Sequence, residues 1–178
     1  MDQPSEIVRR HGPMVWRTVC RLVGGKERDA DAADCFQEVF VAALEVARRG
    51  QEKGPVHNWE AMLRRIATAK ALDMLRRRIR ERGRFAGDIA VESLHGAAAP
   101  PELPLQKQEL AEELRVALAR LPADQAEAFC LRHVEGMTYE DIGFQLGSTP
   151  NAVGALIHRA KERLRQLMNA CAIRRGDA

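Results

Sequence analysis

The chain has 178 residues, of which 46% are hydrophobic and 4% aromatic, and it carries a formal net charge of +3. This length suits one domain or two small ones, and the low aromatic content favours helices over aromatic-rich sheets. Arg9, Arg10 and His11 interrupt the N-terminus and no apolar run approaches membrane-spanning length, so the sequence predicts a cytoplasmic protein with no membrane contact of its own.

Helical periodicity covers nearly the whole chain, and no convincing alternation of apolar and polar residues predicts a strand. The first helical segment, from about residue 5 to residue 23, is expected to break near Gly12-Pro13. A second helix is predicted over 29–49, and residues 27–45 hold six acidic residues and a single basic one. The glycines and the proline of residues 50–58 then predict a loop.

A long amphipathic helix is predicted from Trp59 to about Ile79, because its apolar residues recur one, three or four positions apart. Residues 60–84 hold nine Lys/Arg and three acidic residues, which suggests contact with a polyanion. From Gly83 the composition changes to proline, glycine and alanine without a sustained period, as in a flexible linker. A linker of this length indicates two domains, and we place them at residues 1–84 and 106–178 with the linker at 85–105.

The second unit is predicted to end in two helices joined by a tight turn. Thr138 has the character of an N-cap, Gly147 of a C-cap, and Thr149-Pro150 of the start of the next helix. This arrangement is typical of a DNA-reading helix-turn-helix. The sequence therefore predicts an all-α fold of two small helical bundles joined by a flexible linker, with the helix-turn-helix in the C-terminal bundle.

Enzymatic and metal chemistry are disfavoured by the same sequence. The four cysteines, at positions 20, 35, 130 and 171, form no C-x-x-C pair and have no histidine cluster nearby, so we expect reduced, buried thiols and no metal. We see neither a Gly-rich phosphate loop nor a nucleophile motif, and we predict no cofactor. An enzyme acting on nucleic acid is therefore the least favoured class.

Three segments together carry a family resemblance. They are DAADCFQEVF at residues 31–40, WEAMLRRIATAKALDMLRRR at residues 59–78, and the segment from LARLP to KERL at residues 118–164. In this order, with a linker after the second, they resemble bacterial RNA polymerase sigma factors of the extracytoplasmic-function group in the sigma-70 family. The resemblance implies a protein that directs core RNA polymerase to promoter DNA and assists melting and initiation.

The first segment carries the predicted polymerase contact. Asp34, Gln37 and Glu38 are spaced i, i+3 and i+4, so they share one helix face, opposite the apolar residues. The resemblance implies that this face binds the clamp helices of the polymerase's largest subunit. From the residues alone, an ordinary solvated helix face is the alternative.

The second segment and the loop before it carry the predicted contact with the melting element. The resemblance implies that the loop traps an unstacked base, with His57 and Asn58 as polar contacts. Where the family often has an asparagine this chain has Ala69, whereas Asp73 matches the family's acidic position. Basic side chains of the helix are predicted to pair with phosphates. They are Lys70, Arg76, Arg77, Arg78 and Arg80, followed by Arg82 and Arg84.

The third segment ends in the predicted recognition helix at residues 150–165, which is expected to enter the major groove of the upstream promoter element. The chain has Gly154-Ala155-Leu156 where the family often has basic residues and a serine, which predicts weaker or shape-based reading. The residues predicted to contact base edges are therefore Ser148, Thr149, Asn151 and His158. The residues predicted to contact phosphates are Arg159 and Lys161.

A stand-alone helix-turn-helix transcription regulator is the second hypothesis. It gives no role to the acidic segment at 31–40 or to the basic helix after Trp59. Sigma factors of this group are usually held inactive by an anti-sigma factor, and no residue indicates whether this chain has one or which it is.

Overall fold

In the computed structural model of this protein, the described residues are 3–24, 30–49, 56, 58–85 and 105–176, and they form seven α-helices and no strand. The helices are α1 (Pro4–Val23), α2 (Ala30–Arg49), α3 (Trp59–Phe85), α4 (Leu105–Ala119), α5 (Ala123–His133), α6 (Tyr139–Leu146) and α7 (Pro150–Gly176). The all-helical prediction is confirmed.

Helix α1 is continuous through Pro13, so the predicted break near Gly12-Pro13 is wrong. Proline removes one backbone donor from a helix and crowds the preceding turn. Here the buried face of α1 runs from Ile7 to Leu22 on both sides of the proline, and packing of that face favours a continuous helix. Pro13 itself is exposed. Gly24 ends the helix in the left-handed conformation, with φ of 78°.

Helices α1, α2 and α3 pack on one another as a three-helix unit. Asn58 caps α3, because its side-chain oxygen accepts a 2.9 Å hydrogen bond from the backbone N–H of Ala61. Trp59 is half-buried against the core, as expected of a packing anchor. Helix α3 ends at Phe85, and residues 86–104, which include most of the predicted linker, lie outside the described residues.

Helices α5, α6 and α7 form the helix-turn-helix with the predicted caps. Thr138 accepts a 3.1 Å hydrogen bond from the N–H of Asp141, and Thr149 accepts one of 3.2 Å from Ala152. Gly147 ends α6 with φ of 62°. Gly143 lies where a Cβ atom would meet the backbone oxygen of Ser148 at 2.8 Å, so the turn requires glycine there.

Helices α1–α3 form the first helical group and helices α4–α7 form the second. The two groups share one apolar core. Buried residues of α1, α2 and α3 form a continuous cluster with buried residues of α4, α5 and α7, including Leu118, Ala126 and Leu164. A smaller cluster fills the helix-turn-helix around Leu131, Ile142 and Val153, to which α3 adds Ala61. Burial of apolar surface therefore holds α3 against the second group.

Candidate functional site

The predicted polymerase-binding residues lie together at the edge of a groove between α2 and α3. Asp34, Gln37 and Glu38 are all exposed on α2 and line a cavity of about 440 Å³. Further lining residues are Val41, Ala42 and Glu45 of α2, and Lys70 and Arg77 of α3. Val41 is 58% exposed, so the groove offers an apolar contact beside its carboxylates. This combination suits a basic, amphipathic helix as a partner.

The basic side chains predicted to bind phosphate differ in their surroundings. Arg77 and Arg80 are exposed, and the Nε of Arg77 lies 3.9 Å from the carboxylate of Glu81. Arg76 pairs with Asp73 at 3.0 Å, and its side chain is 21% exposed. Lys70 donates to Glu38 at 3.1 Å across the groove. Among the members of this set whose side chains the structure describes, Arg77 and Arg80 therefore have the most accessible guanidinium groups.

Arg78 is engaged within the fold. Its Nε donates a 2.7 Å hydrogen bond to Asp31, and its Nη1 donates one of 3.1 Å to the carbonyl oxygen of Val23. The side chain is 14% exposed. These bonds join α3 to α2 and to the end of α1, an arrangement that favours a structural role for this arginine.

The loop predicted to trap a base lies mostly outside the described residues, as does His57. Asn58 is exposed but uses its side-chain oxygen to cap α3, which leaves its NH₂ group for a ligand. The side chains of Arg82 and Arg84 also lie outside the described part of the chain.

The predicted base-reading residues surround the N-terminus of α7. Thr149 and Asn151 are exposed and Ser148 is half-buried in the turn. The hydroxyl of Thr149 caps α7, so it is already engaged as an acceptor. His158 lies 3.7 Å from Glu162, one turn further along. The predicted phosphate contacts Arg159 and Lys161 are exposed.

Gly154 has a packing role on α7 that the sequence did not suggest. The aromatic ring of Tyr139, at the start of α6, lies 3.6 Å from the position that a Cβ atom would take. Arg132 lies over the same ring, with its guanidinium carbon 5.3 Å from the ring centroid. The Tyr139 ring of α6 therefore lies between Arg132 of α5 and the recognition helix at Gly154.

Polar contacts between the two helical groups were not anticipated from the sequence. Glu135 follows α5, and its carboxylate accepts hydrogen bonds from Arg64 at 2.6 Å and from Thr18 at 2.9 Å. Arg65 pairs with Glu127 of α5 at 3.4 Å. The partners Arg64 and Glu135 are 71 positions apart, so no local pattern could indicate their contact.

Burial and ion pairing together shift the pKa values of these groups. Burial raises the pKa of the Glu127 carboxyl above its usual value, and the neighbouring Arg65 only partly offsets this. Burial opposes the charge of Arg64, but its hydrogen bonds to Glu60 and Glu135 raise its pKa nonetheless.

The buried cysteines have no sign of reactive chemistry. Burial raises the pKa of the Cys35 and Cys130 thiols to about 12, so both stay protonated at neutral pH. Within the described ranges, no three His, Cys, Asp or Glu side chains are grouped as metal ligands would be. No described helix is both long and apolar enough to span a membrane.

Comparison with known families assigns most of the chain. Residues 7–81 match the model for sigma-70 region 2, and residues 111–164 match the model for sigma-70 region 4. The first match contains α2, most of α3 and the groove between them. The second contains α5, α6 and most of the recognition helix.

Two similar proteins carry sigma-factor names. The chain is 34% identical over 171 residues to the ECF RNA polymerase sigma factor SigE of Mycolicibacterium smegmatis, an alignment of 94% of this chain and 62% of SigE. It is 36% identical over 136 residues to the ECF RNA polymerase sigma factor ShbA of Streptomyces griseus, covering 75% of this chain and 70% of ShbA.

A solved structure with the same fold is the sigma factor RpoE of Bartonella quintana in complex with the anti-sigma factor NepR. It matches with a TM-score of 0.54 at 22% identity, over 93% of this chain and 96% of RpoE. With both conserved regions present in their family order, the chain belongs to the sigma-70 family of RNA polymerase sigma factors, in its extracytoplasmic-function group.

Proposed function

We propose that this chain directs core RNA polymerase to a set of promoters and assists their melting and the initiation of transcription. The observation that carries the proposal is the exposed acidic groove of α2 and α3 within the same chain as an exposed recognition helix. One surface suits a basic protein partner, and the other suits the major groove of DNA. A specificity subunit needs both.

The polymerase contact is assigned to Asp34, Gln37 and Glu38. Their carboxylates and amide are exposed on one helix face, and Val41 beside them supplies apolar surface. A cationic helix of the polymerase clamp would pair with the carboxylates and cover the valine. Such contacts give a fast, salt-sensitive association.

The promoter contacts are assigned to both conserved regions. Arg77 and Arg80 of α3 are exposed and suited to phosphates near the melting element, with Lys70 released from Glu38 on binding. Asn151, exposed in the first turn of α7, is the best candidate for reading a base edge, since its amide matches adenine. Exchanging Asn151 should therefore shift preference at one upstream base in a randomised-promoter selection.

The chain performs no catalysis of its own in this proposal and acts in the cytoplasm, where the polymerase is. An anti-sigma factor is a further proposed partner, since RpoE of Bartonella quintana was solved with the anti-sigma factor NepR.

Retention on immobilised core RNA polymerase tests the proposal against a stand-alone regulator. A sigma factor should be retained in about equal molar amount and released by added salt. A stand-alone regulator should pass through the column while still binding DNA by its helix-turn-helix.

A further inference from the structure

Helix α1 carries exposed arginines at a regular helical spacing. Arg10, Arg17 and Arg21 are 7 and 4 positions apart, which places them along one stripe of the helix, called here the α1 stripe. Pro13 is also exposed and lies between the first two arginines on nearly the same side. The proposed function gives none of these residues a role.

The arginines of the α1 stripe differ in their partners. Arg21, at the C-terminal end, donates a 3.2 Å hydrogen bond to the carbonyl oxygen of Val134. Arg10 and Arg17 have no carboxylate partner within the part of the chain that the structure describes. Two guanidinium groups are therefore available for a ligand. A solvated helix face would have the same exposure, so the place of the stripe in the fold has to distinguish the two.

The N-terminal end of the α1 stripe lies beside the start of α3. The hydrogen bond from Arg64 is the main cause that lowers the pKa of the Glu60 carboxyl, and His11 and Arg10 of α1 lower it further. Both residues of α1 are therefore near this carboxylate. Glu60 follows Asn58, the proposed base contact, by two positions. A DNA strand with a base held at Asn58 would therefore pass close to Arg10.

The charge of the α1 stripe indicates the class of partner. The groove between α2 and α3 suits a basic polymerase helix, and a cationic face does not suit the same helix. Phosphate oxygens match the planar donor fork of a guanidinium group. The seven residues from Arg10 to Arg17 rise by about 10 Å, a distance that covers more than one phosphate of a nucleic-acid strand.

We propose that Arg10 and Arg17 of α1 bind phosphates of the melted promoter strand, next to the base held at Asn58. The ring of Pro13 between the two arginines offers an apolar contact to a deoxyribose. The proposal rests on the proposed function, because a melted strand reaches α1 only if the start of α3 holds it. It adds a second DNA-binding helix to the first helical group, beside α3.

The contact should have the strength of two exposed ion pairs. Such pairs are individually weak, and two of them together should tighten binding about three- to tenfold. Each phosphate of a single strand that the protein neutralises also adds about 0.7 to the slope of log affinity against log salt concentration. Affinity and salt slope should therefore change together when the two arginines are replaced.

The test measures binding of the full chain to a labelled, mixed-sequence DNA single strand by fluorescence anisotropy at several salt concentrations. R10Q/R17Q should bind about three- to tenfold more weakly than the wild type, with a slope flatter by about 1.4. K107Q/R120Q is the matched control, because Lys107 and Arg120 are exposed on the second helical group and the same two charges are removed. It should leave affinity and slope nearly unchanged.

A duplex of the same sequence tests whether the stripe is specific for a single strand. R10Q/R17Q should weaken duplex binding by less than about twofold, because the duplex contacts are assigned to the recognition helix. Equal single-strand affinities of R10Q/R17Q and K107Q/R120Q would overturn the proposal, as would an equal loss for single strand and duplex. Loss of retention on core polymerase, with DNA binding unchanged, would also overturn it and would assign the stripe to an acidic protein surface.

Failure of the α1 contact and failure of the proposed function give different results. If the wild-type chain with core polymerase initiates transcription but R10Q/R17Q binds the single strand as K107Q/R120Q does, the α1 contact is wrong and the function stands. If the wild-type chain supports no transcription with core polymerase, the proposed function fails. The anisotropy difference between the two variants then still decides whether α1 binds a DNA strand.

Discussion

The ammonium group of Lys70 lies 3.1 Å from the carboxylate of Glu38, so a residue predicted to bind DNA is paired with one predicted to bind polymerase. The two side chains are 37% and 50% exposed, and an ion pair this accessible contributes less than about 1 kcal/mol. A basic polymerase helix that binds Glu38 would therefore displace Lys70 at little cost and leave its charge available for DNA.

Reversing the charge of the groove should remove polymerase binding. D34K/E38K replaces two carboxylates of the groove by ammonium groups, which repel a basic partner. We expect loss of retention on immobilised core RNA polymerase with an unchanged helical circular-dichroism signal. E6K is the control, because Glu6 is an exposed acid of α1 outside the groove. Retention of D34K/E38K at the wild-type level would refute the docking surface.

Replacing different arginines of α3 should affect either DNA binding or the stability of the fold. R77Q/R80Q should flatten the plot of log affinity against log salt concentration by about 0.7–0.9 for each phosphate that the variant no longer neutralises. R78Q should instead lower the free energy of unfolding by about 1.5–3 kcal/mol, because it breaks the charge-assisted bond to Asp31. R77Q is the control. Its free energy of unfolding, measured with denaturant, should lie within about 0.5 kcal/mol of the wild-type value. An unchanged salt slope in R77Q/R80Q would show that neither arginine reaches phosphate.

Two glycines of the helix-turn-helix should respond in opposite directions to alanine. G143A brings a Cβ atom to 2.8 Å from the backbone oxygen of Ser148, and we expect a loss of about 1–3 kcal/mol in unfolding free energy. G154A brings its Cβ to an ordinary 3.6 Å from the Tyr139 ring and should gain about 0.5–1 kcal/mol through helix propensity. Thermal and urea unfolding measure both. Destabilisation by G154A would contradict an ordinary van der Waals contact with that ring.

The pH dependence of stability should distinguish Glu127 from Glu60. Because burial raises the folded-state pKa of Glu127, the folded chain holds this proton to higher pH than the unfolded chain does. The stability that the protonated carboxyl contributes is present below the unfolded pKa and is lost as pH rises through the folded pKa. E127Q should therefore gain stability relative to the wild type as pH rises above about 4, the ordinary pKa range of a glutamate side chain.

Glu60 provides the opposite control. The hydrogen bond from Arg64 lowers the pKa of Glu60, so its contribution is present above the unfolded pKa and is lost as pH falls through the folded pKa. E60Q should lose stability relative to the wild type as pH rises towards about 4, with no further relative change above the ordinary pKa range of glutamate. Parallel curves for E127Q and wild type would contradict the assigned burial of Glu127.

The sequence predicted features that depend on nearby residues. The caps at Thr138 and Thr149 and the left-handed Gly147 depend on neighbours three or four positions away, and each lies where the pattern indicated. The break at Pro13 was predicted by the same local reasoning and was wrong, because packing along the whole buried face of α1 outweighs one missing backbone bond.

What the sequence did not predict depends on contacts between distant segments. Arg78 reads as one of a run of three arginines, yet its partner Asp31 is 47 positions away and on another helix. Glu135 reads as an ordinary turn residue, and only the packing of the two helical groups brings it to Thr18, 117 positions away. Contacts with distant segments therefore decide which residues of one charge run are exposed and which are engaged within the fold.

In vitro transcription with sigma-free core RNA polymerase on a genomic DNA library tests the central claim most directly. We predict that adding the purified chain produces defined start sites that share one two-part upstream motif, and that D34K/E38K produces none. Absence of any start site that depends on the wild-type chain would contradict the assignment of this protein as a promoter-specificity subunit.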